Sequence, residues 1–264
     1  MHHRESFDLS LIVPVFDQGG TLARTLCELS RFMDAAPLNT ELVLVNDCSP
    51  CPDTRALLRD IGRRPNVLVL ENAHNRGKGY SVARGMVSGS GNYRVFTDAD
   101  LAYPLAEVWK IVVALERGAD VAIACRVLPD SQYEMTSSYL RYLYTRHLMS
   151  RAFNKLVRFT LLPGVLDTQA GLKGYTATAA RNVFSRVQIN GFGFDLECLF
   201  VARKLGLSIE QVPVRFRYDD EPSTVRFVRD AGTMAADLAR IRWRGWTGGY
   251  EQLSPGSTWE IASS

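Results

Sequence analysis

Four short apolar runs alternate with helical patterns through the first hundred residues, and this alternation limits the fold more than any other feature. The runs cover residues 9–16, 41–45, 67–70 and 93–96. Runs of this length, rich in aliphatic and aromatic residues, read as buried strands. Between the first two, Leu22, Leu26 and Leu29 recur at helical spacing, with Thr21 placed to cap. Further helices are expected over 53–62 and through Ala83 to Val87. Strand–helix alternation predicts an α/β domain with a mostly parallel sheet flanked by helices. In such open sheets, ligands bind outside the carboxyl ends of the strands. Asp17, Asp47, Asp98 and Asp100 all follow strand ends, so the element order gathers acids on one rim.

Asp98-Ala99-Asp100 carries the clearest chemistry. Two carboxylates one residue apart at a strand end share a face, because the side-chain period of a strand is two. Both can approach one hard cation, and Mg²⁺ and Mn²⁺ are often held by one or two carboxylates plus substrate phosphates. The competing reading is a pair of acids capping the next helix. Gly77-Lys78-Gly79 is a loop in which backbone can come close to a ligand, with one cation between glycines. It is too short for the phosphate loop of nucleotide triphosphatases, and no G-x-G-x-x-G follows the first strand, which argues against a dinucleotide-binding dehydrogenase.

After Pro104 the pattern continues with a helix to about Gly118, a strand over 120–125 and Arg126. The segment from Met135 to Leu166 contains no acid and interleaves Arg141, Arg146, Arg151, Lys155 and Arg158 with aromatics, which reads as one or two amphipathic helices. A short strand over 172–175 and helices beginning near Ala177 and Gly191 follow. Residues 208–216 look like an edge strand, because the run tolerates Pro213. A last helix is expected from Ser223 to Trp243, and the polar tail from Gly248 is expected to be flexible.

A formal net charge of +3 gives no global field for nucleic acid. No run approaches the roughly 18–20 apolar residues of a membrane span, and residues 1–6 lack the apolar core of a signal peptide. A cytoplasmic protein is expected, either free or peripheral on that side of a membrane. The five cysteines are scattered and do not look like a disulfide framework; Cys48 and Cys51 form one C-x-x-C with no second ligand pair spaced for zinc.

Taken together, Val13-Pro14-Val15-Phe16, Val45-Asn46-Asp47, Gly77-Lys78-Gly79 and Asp98-Ala99-Asp100 resemble the inverting nucleotide-sugar glycosyltransferases of family 2, with the GT-A fold. Asp167-Thr168-Gln169-Ala170-Gly171, Phe194-Asp195-Leu196-Glu197, Val212-Pro213-Val214 and 237–242 resemble the dolichyl-phosphate (polyprenyl-phosphate) glucosyltransferase branch. There are departures. Branch members usually read Asn-Asp-Gly-Ser where this chain has Asn46-Asp47-Cys48-Ser49. A Gly-x-Ser-Lys element is common where Glu221 to Arg226 stand, and many relatives carry C-terminal membrane helices.

The resemblance implies a division of roles. Asp47 would accept from the base, and Pro14, Val15, Phe16 and Asp17 would line the nucleoside pocket, although an Asx-turn would also want Asp47 and a buried strand would account for Val15. Lys78 would contact the nucleotide or the base-side ribose, the competing reading being a solvated loop lysine. Asp98, Ala99 and Asp100 would meet the donor diphosphate, the two acids through Mg²⁺ or Mn²⁺. Arg126, Arg146 and Ser150 would surround an acceptor phosphate, for which the arginine fork is suited. A phosphomonoester is already ionised, with a second pKa of about 6, and needs no base; a hydroxyl acceptor does, and Asp195 is then the residue to provide it.

The expected architecture is a catalytic domain over 1–228, an amphipathic helix over 229–247 and the tail 248–264. The expected reaction moves a hexose, with UDP-glucose favoured, to a polyprenyl phosphate. The alternatives are a hydroxyl-acceptor transferase of the same fold and a non-enzymatic nucleotide-sugar binder. Alternating tryptophan and arginine over 240–246 fits a membrane surface, and a dimer contact would use the same residues.

Overall fold

A computed structural model describes residues 7–135, 157, 160–191, 193–218 and 227–251. The chain runs β1 (Leu9–Val15), α1 (Leu22–Asp34), β2 (Thr40–Asn46), α2 (Pro52–Ile61), β3 (Val67–Glu71), α3 (Lys78–Ser88), β4 (Tyr93–Phe96), α4 (Glu107–Glu116), β5 (Val121–Cys125), β6 (Gln132–Met135), β7 (Lys173–Thr176), α5 (Ala177–Phe184), α6 (Phe194–Lys204), β8 (Ile209–Pro213), β9 (Arg215–Tyr218) and α7 (Phe227–Trp246). Seven strands form one sheet in the order β3-β2-β1-β4-β7-β5-β8.

The period of two along the strands sorts the core into two layers. Leu9, Leu11, Val13 and Val15 face one side with Leu42 and Leu44, and pack against Leu22, Leu26 and Leu29 of α1 and Ile111 and Leu115 of α4. Ile12, Val43 and Val45 face the other side and pack against Val82 and Met86 of α3 and Val183 and Phe184 of α5. Both faces are covered, which is why the strands read as continuous apolar runs. Thr21 precedes α1 but does not cap it: its hydroxyl donates to the Gln18 carbonyl at 2.7 Å.

β7 departs from the parallel pattern. It lies antiparallel to both β4 and β5, with Lys173 in register with Phe96 on one side and Ile123 on the other. An antiparallel strand in a parallel sheet presents its amino end where its neighbours present their carboxyl ends. Lys173, and the 167–172 segment before it, therefore arrive at the same rim as Asp98.

The late edge strand divides. β8 is the sheet's outer strand, pairing with β5 as far as Pro213. After Val214 the chain continues as β9, which pairs in parallel with β6 in a separate two-stranded sheet. The Arg217 N–H donates to the Ala102 carbonyl at 2.8 Å, so this ribbon docks on the loop that follows Asp100.

The C-terminal helix runs to Trp246; its amphipathic pattern, expected over 229–247, falls partly on side chains outside the described residues. The chain does not become a free tail at Gly248. Tyr250 is buried, and its hydroxyl donates to Glu197 Oε1 at 2.8 Å. Among the described residues no helix is long and apolar enough to cross a membrane. Most of the acid-free segment, with Arg146 and Ser150, and the stretch from Glu221 to Arg226 lie outside the described residues.

Candidate active site

The carboxyl rim is marked first by backbone strain. Among the described residues, the non-glycine residues with positive φ are Asp17 (44°), Cys48 (60°) and Leu101 (51°), and they follow β1, β2 and β4. Such conformations cost roughly 1–2 kcal/mol each for an L-residue and cluster at ligand sites. A short hydrogen-bond chain holds the first two. Asn46 Oδ1 accepts from the Ser49 N–H at 3.0 Å and its hydroxyl at 2.6 Å, and Ser49 Oγ accepts from the Asp17 N–H at 3.1 Å. The φ of Cys48 explains why a glycine suits this turn.

Asp47 is buried and ties β2 to the loop that opens α3. Its carboxylate accepts from Asn72 Nδ2 at 2.7 Å, the Arg76 N–H at 2.9 Å and the Gly77 N–H at 2.7 Å. A carboxylate offers about four lone-pair sites, so three bonds do not exhaust it. Of the strand-end residues before Asp17, Val15 is core, Pro14 is half-buried and Phe16 is exposed on the rim.

The two glycines around Lys78 serve packing. A Cβ at Gly77 or Gly79 would fall within 2.6 Å or 2.5 Å of a carbonyl oxygen, that of Asn190 or Ile189 respectively. The Gly79 N–H donates to the Asn190 carbonyl at 2.8 Å. The loop thus comes close to the segment before α6 and aims Lys78 inward. Lys78 Nζ lies 2.5 Å from Asp98 Oδ1 and 5.7 Å from the Phe194 ring centroid. Burial pulls the Lys78 ammonium down, but Asp98, Asp195 and Asp100 together outweigh it and hold it above the ordinary lysine value.

Asp98 also rests on Gly171, where a Cβ would sit 2.1 Å from Asp98 Oδ2. Gly171 is glycine because this carboxylate occupies the space. Ala99 is buried and accepts from the Thr25 hydroxyl at 2.9 Å. Asp100 is exposed, and its Oδ1 accepts from the Ala102 N–H at 3.0 Å.

Two further ion pairs complete the rim. Arg126 grips Asp167 in a bidentate fork, Nε to Oδ2 at 2.7 Å and Nη2 to Oδ1 at 2.9 Å, and its own N–H adds a third bond at 3.0 Å. Burial pushes the Asp167 carboxyl up, but Arg126 more than offsets this and holds it below the ordinary range. Lys173 is fully buried, pairs with Asp195 Oδ1, donates to the Ala170 carbonyl at 2.6 Å and lies 5.4 Å from the Phe96 ring centroid. The candidate base is therefore one half of a buried pair. Removing its charge would leave Lys173 uncompensated, a cost of about 3–5 kcal/mol.

The model of glycosyl transferase family 2 matches residues 10–184. The chain belongs to glycosyl transferase family 2. The dolichyl-phosphate beta-glucosyltransferase of Drosophila melanogaster is 31% identical over 224 residues, covering 80% of this chain and 67% of that one. The dolichyl-phosphate beta-glucosyltransferase of Dictyostelium discoideum is 29% identical over 249 residues, covering 89% and 74%. Among solved structures, glucosyl-3-phosphoglycerate synthase from Mycobacterium tuberculosis in complex with Mg²⁺ and uridine-diphosphate superposes with a TM-score of 0.61 at 19% identity, covering 95% of this chain and 82% of that one. That likeness is one of fold, the GT-A fold of glycosyltransferases.

As a family 2 glycosyltransferase, the chain can be asked whether its rim suits a divalent metal. Among the described residues no cluster of three or more acidic, histidine or cysteine side chains is assembled that could hold an ion alone. Two carboxylates remain, Asp98 and Asp100, both acting on the Lys78 ammonium. A cationic group already balanced by these acids shows that the spot accepts positive charge. A two-carboxylate donor set completed by ligand phosphates is the usual way a protein holds Mg²⁺.

Two residues of this rim escape the sequence motifs. Lys173 is a charge inside a buried strand, a position that demands a partner, and that demand is the signal by which it could be found. Tyr103 has no such signal. It is 3% exposed, its hydroxyl lies near Arg126, Asp167, Asp98 and the Gly171 backbone, and burial above all keeps it protonated.

Proposed function

We propose that the protein is a metal-dependent, inverting hexosyltransferase that moves glucose from UDP-glucose to a polyprenyl phosphate. The observation that carries the choice of acceptor is the Lys173–Asp195 pair. A hydroxyl acceptor needs a base, and Asp195, the residue best placed to provide one, is committed to a buried ammonium. A phosphate acceptor needs only positioning. The curated relatives reported above, named for glucosyl transfer to dolichyl phosphate, support the same reading.

In this reading Asp47, with Pro14, Val15, Phe16 and Asp17, bounds the nucleoside, and Lys78 meets the diphosphate. Asp98 and Asp100, flanking Ala99, hold Mg²⁺ or Mn²⁺, which supplies charge to the leaving diphosphate. The acceptor phosphate oxygen attacks the anomeric carbon from the face opposite the departing diphosphate. Arg126, kept in place by Asp167, offers its charge to that phosphate, and Arg146 and Ser150 are assigned to the same group. Asp195, fixed by Lys173, orients the sugar. The catalytic unit is assigned to 1–228 and the surface helix to 229–247. Trp243 and Trp246 are 64% and 88% exposed beside Arg240 and Arg242, which suits a peripheral seat on an anionic cytoplasmic leaflet.

The test is a transfer assay with UDP-glucose, Mn²⁺ or Mg²⁺ and a short polyprenyl phosphate, beside the dephosphorylated polyprenol. Product from the phosphate alone is expected. Product from the alcohol, or metal-dependent release of UDP with neither lipid glycosylated, would move the acceptor to a hydroxyl compound.

A further inference from the structure

Glu197 lies in the first turn of α6 and is fully buried, and its two carboxylate oxygens face different parts of the chain. Oε2 accepts from the Gln188 N–H at 2.8 Å and the Ile189 N–H at 2.6 Å. Oε1 accepts from the Tyr250 hydroxyl at 2.8 Å and lies 3.5 Å from Arg244 Nη1. Burial pushes this carboxyl up, and the four partners offset only part of that. An apolar side chain would pack this turn of α6 without the cost of a buried charge. What the carboxylate adds is a link between two segments that do not otherwise share a side chain.

The Oε2 side leads to the rim. Ile189 has its N–H on Glu197 and its C=O against Gly79, where a Cβ would fall 2.5 Å from the oxygen. The next carbonyl, that of Asn190, accepts from the Gly79 N–H at 2.8 Å and fills the space a Cβ would need at Gly77. No slack separates the two backbones, so the 188–190 segment sets where the Gly77–Gly79 turn sits. That turn carries Lys78, and the Gly77 N–H binds Asp47. The Oε1 side leads to α7. The Tyr250 ring meets Phe200 of α6 edge-on with centroids 5.9 Å apart, Gly245 lies against the same Phe200 ring, and Ile241 is fully buried. The helix that bears the exposed Trp243 and Trp246 thus reaches the rim through one carboxylate.

We infer that Glu197, aimed by Tyr250, is a positioning residue for the nucleotide: it fixes the turn that carries Lys78, so that the hold on a nucleoside diphosphate depends on a contact made outside the donor pocket. The inference rests on reading this rim as a donor site. Glu197 itself does not face the rim cations. It acts through two backbone N–H groups and two carbonyls, which pass its position to Lys78. Outer partners of this kind hold a binding group in its productive orientation without touching the ligand.

The experiment compares Tyr250→Phe and Glu197→Ala with the native protein in two measurements without turnover: calorimetric titration with UDP and Mn²⁺, and amide hydrogen exchange over residues 76–81 and over β1. Tyr250→Phe decides the question, because it keeps the ring on Phe200 and removes only the hydroxyl; Glu197→Ala strands buried donors and enters the comparison if it folds. Tyr250→Phe is expected to bind UDP about threefold more weakly, and Glu197→Ala about tenfold or more. Exchange is expected to quicken over 76–81 and not over β1. A smaller folded fraction lowers the number of sites titrated rather than the affinity of each, so the affinity reads positioning and not stability. Equal UDP affinity in Tyr250→Phe and native protein would overturn the inference and leave the donor reading intact. Weaker affinity with exchange unchanged over 76–81, or raised alike over 76–81 and β1, would also overturn it, since the loss would not then run through this turn. Failure of the native protein to bind UDP with metal would overturn the donor reading itself, and this inference with it.

Discussion

The two ends of the same sheet handle buried charge in opposite ways. At the amino end, Glu41 accepts from the hydroxyls of Ser10 at 2.6 Å and Ser90 at 2.9 Å and from the Gly91 N–H at 3.3 Å. Arg94 donates to the carbonyls of Met86 at 2.7 Å and Gly91 at 3.3 Å, and burial with nearby Arg181 pulls it down to about 10. Each charge there is satisfied largely by backbone and neutral hydroxyls. At the carboxyl end, Asp47 apart, the charges satisfy one another, as Lys78 with Asp98, Arg126 with Asp167 and Lys173 with Asp195. Bonds to backbone cannot be exchanged without unfolding something. Bonds between side chains can be exchanged for a ligand's charges. The three pairs are also graded by depth: Lys78 and Asp98 are 25% and 29% exposed, whereas Lys173 and Asp195 are 0% and 8%. The outer pair is suited to exchange, and the inner pair to holding the site in shape.

The largest effect that would sharpen this contrast is on turnover. Asp100→Ala is expected to lower transfer by about 10³-fold or more, while unfolding changes by less than about 0.5 kcal/mol because the side chain is exposed. Steady-state kinetics beside urea denaturation reads both, and a large loss of stability would make Asp100 structural. Next comes the inner pair. Lys173→Met is expected to cost about 3–5 kcal/mol by leaving Asp195 buried and unpaired. Adding Asp195→Asn should recover part of that loss, and simple additivity of the two changes would show that they do not act as a unit.

At the other end, Glu41→Ala strands several buried donors and is expected to cost about 3 kcal/mol with kcat/KM unchanged in the folded enzyme. A fall in kcat/KM would break the division between the two rims. The smallest effect is at Cys48. Cys48→Gly relieves a left-handed conformation and should raise stability by up to about 1 kcal/mol, the gain being trimmed by the entropy of a glycine in the unfolded chain. Thermal melting measures it, and a destabilised variant would mean that the Cys48 side chain contributes more than the turn does.

The acids of the rim were legible because each follows an apolar run, and the position of a strand's end is a local matter. The motif Gly77-Lys78-Gly79 was legible as a close approach, although the approach is to the Ile189–Asn190 backbone. The Asp167–Gly171 motif drew attention without disclosing its uses. Asp167 proves to be the anchor of Arg126, and Gly171 the seat of Asp98. Tyr103 was not legible at all, because an aromatic residue after a strand looks like ordinary core until the charges gathered around its hydroxyl are seen.

By itself the sequence determined the class of fold and the end of the sheet at which the chemistry lies. Strand and helix periods are local, and the connection rules of parallel sheets leave few ways to assemble them. Only the tertiary structure decided which charges meet. Asp167 lies 41 residues from Arg126 and Asp195 lies 22 from Lys173, separations over which no periodicity speaks. Those meetings follow from one antiparallel strand inserted between β4 and β5, which turns a lysine and the loop before it toward a rim that the parallel strands had already lined with acids.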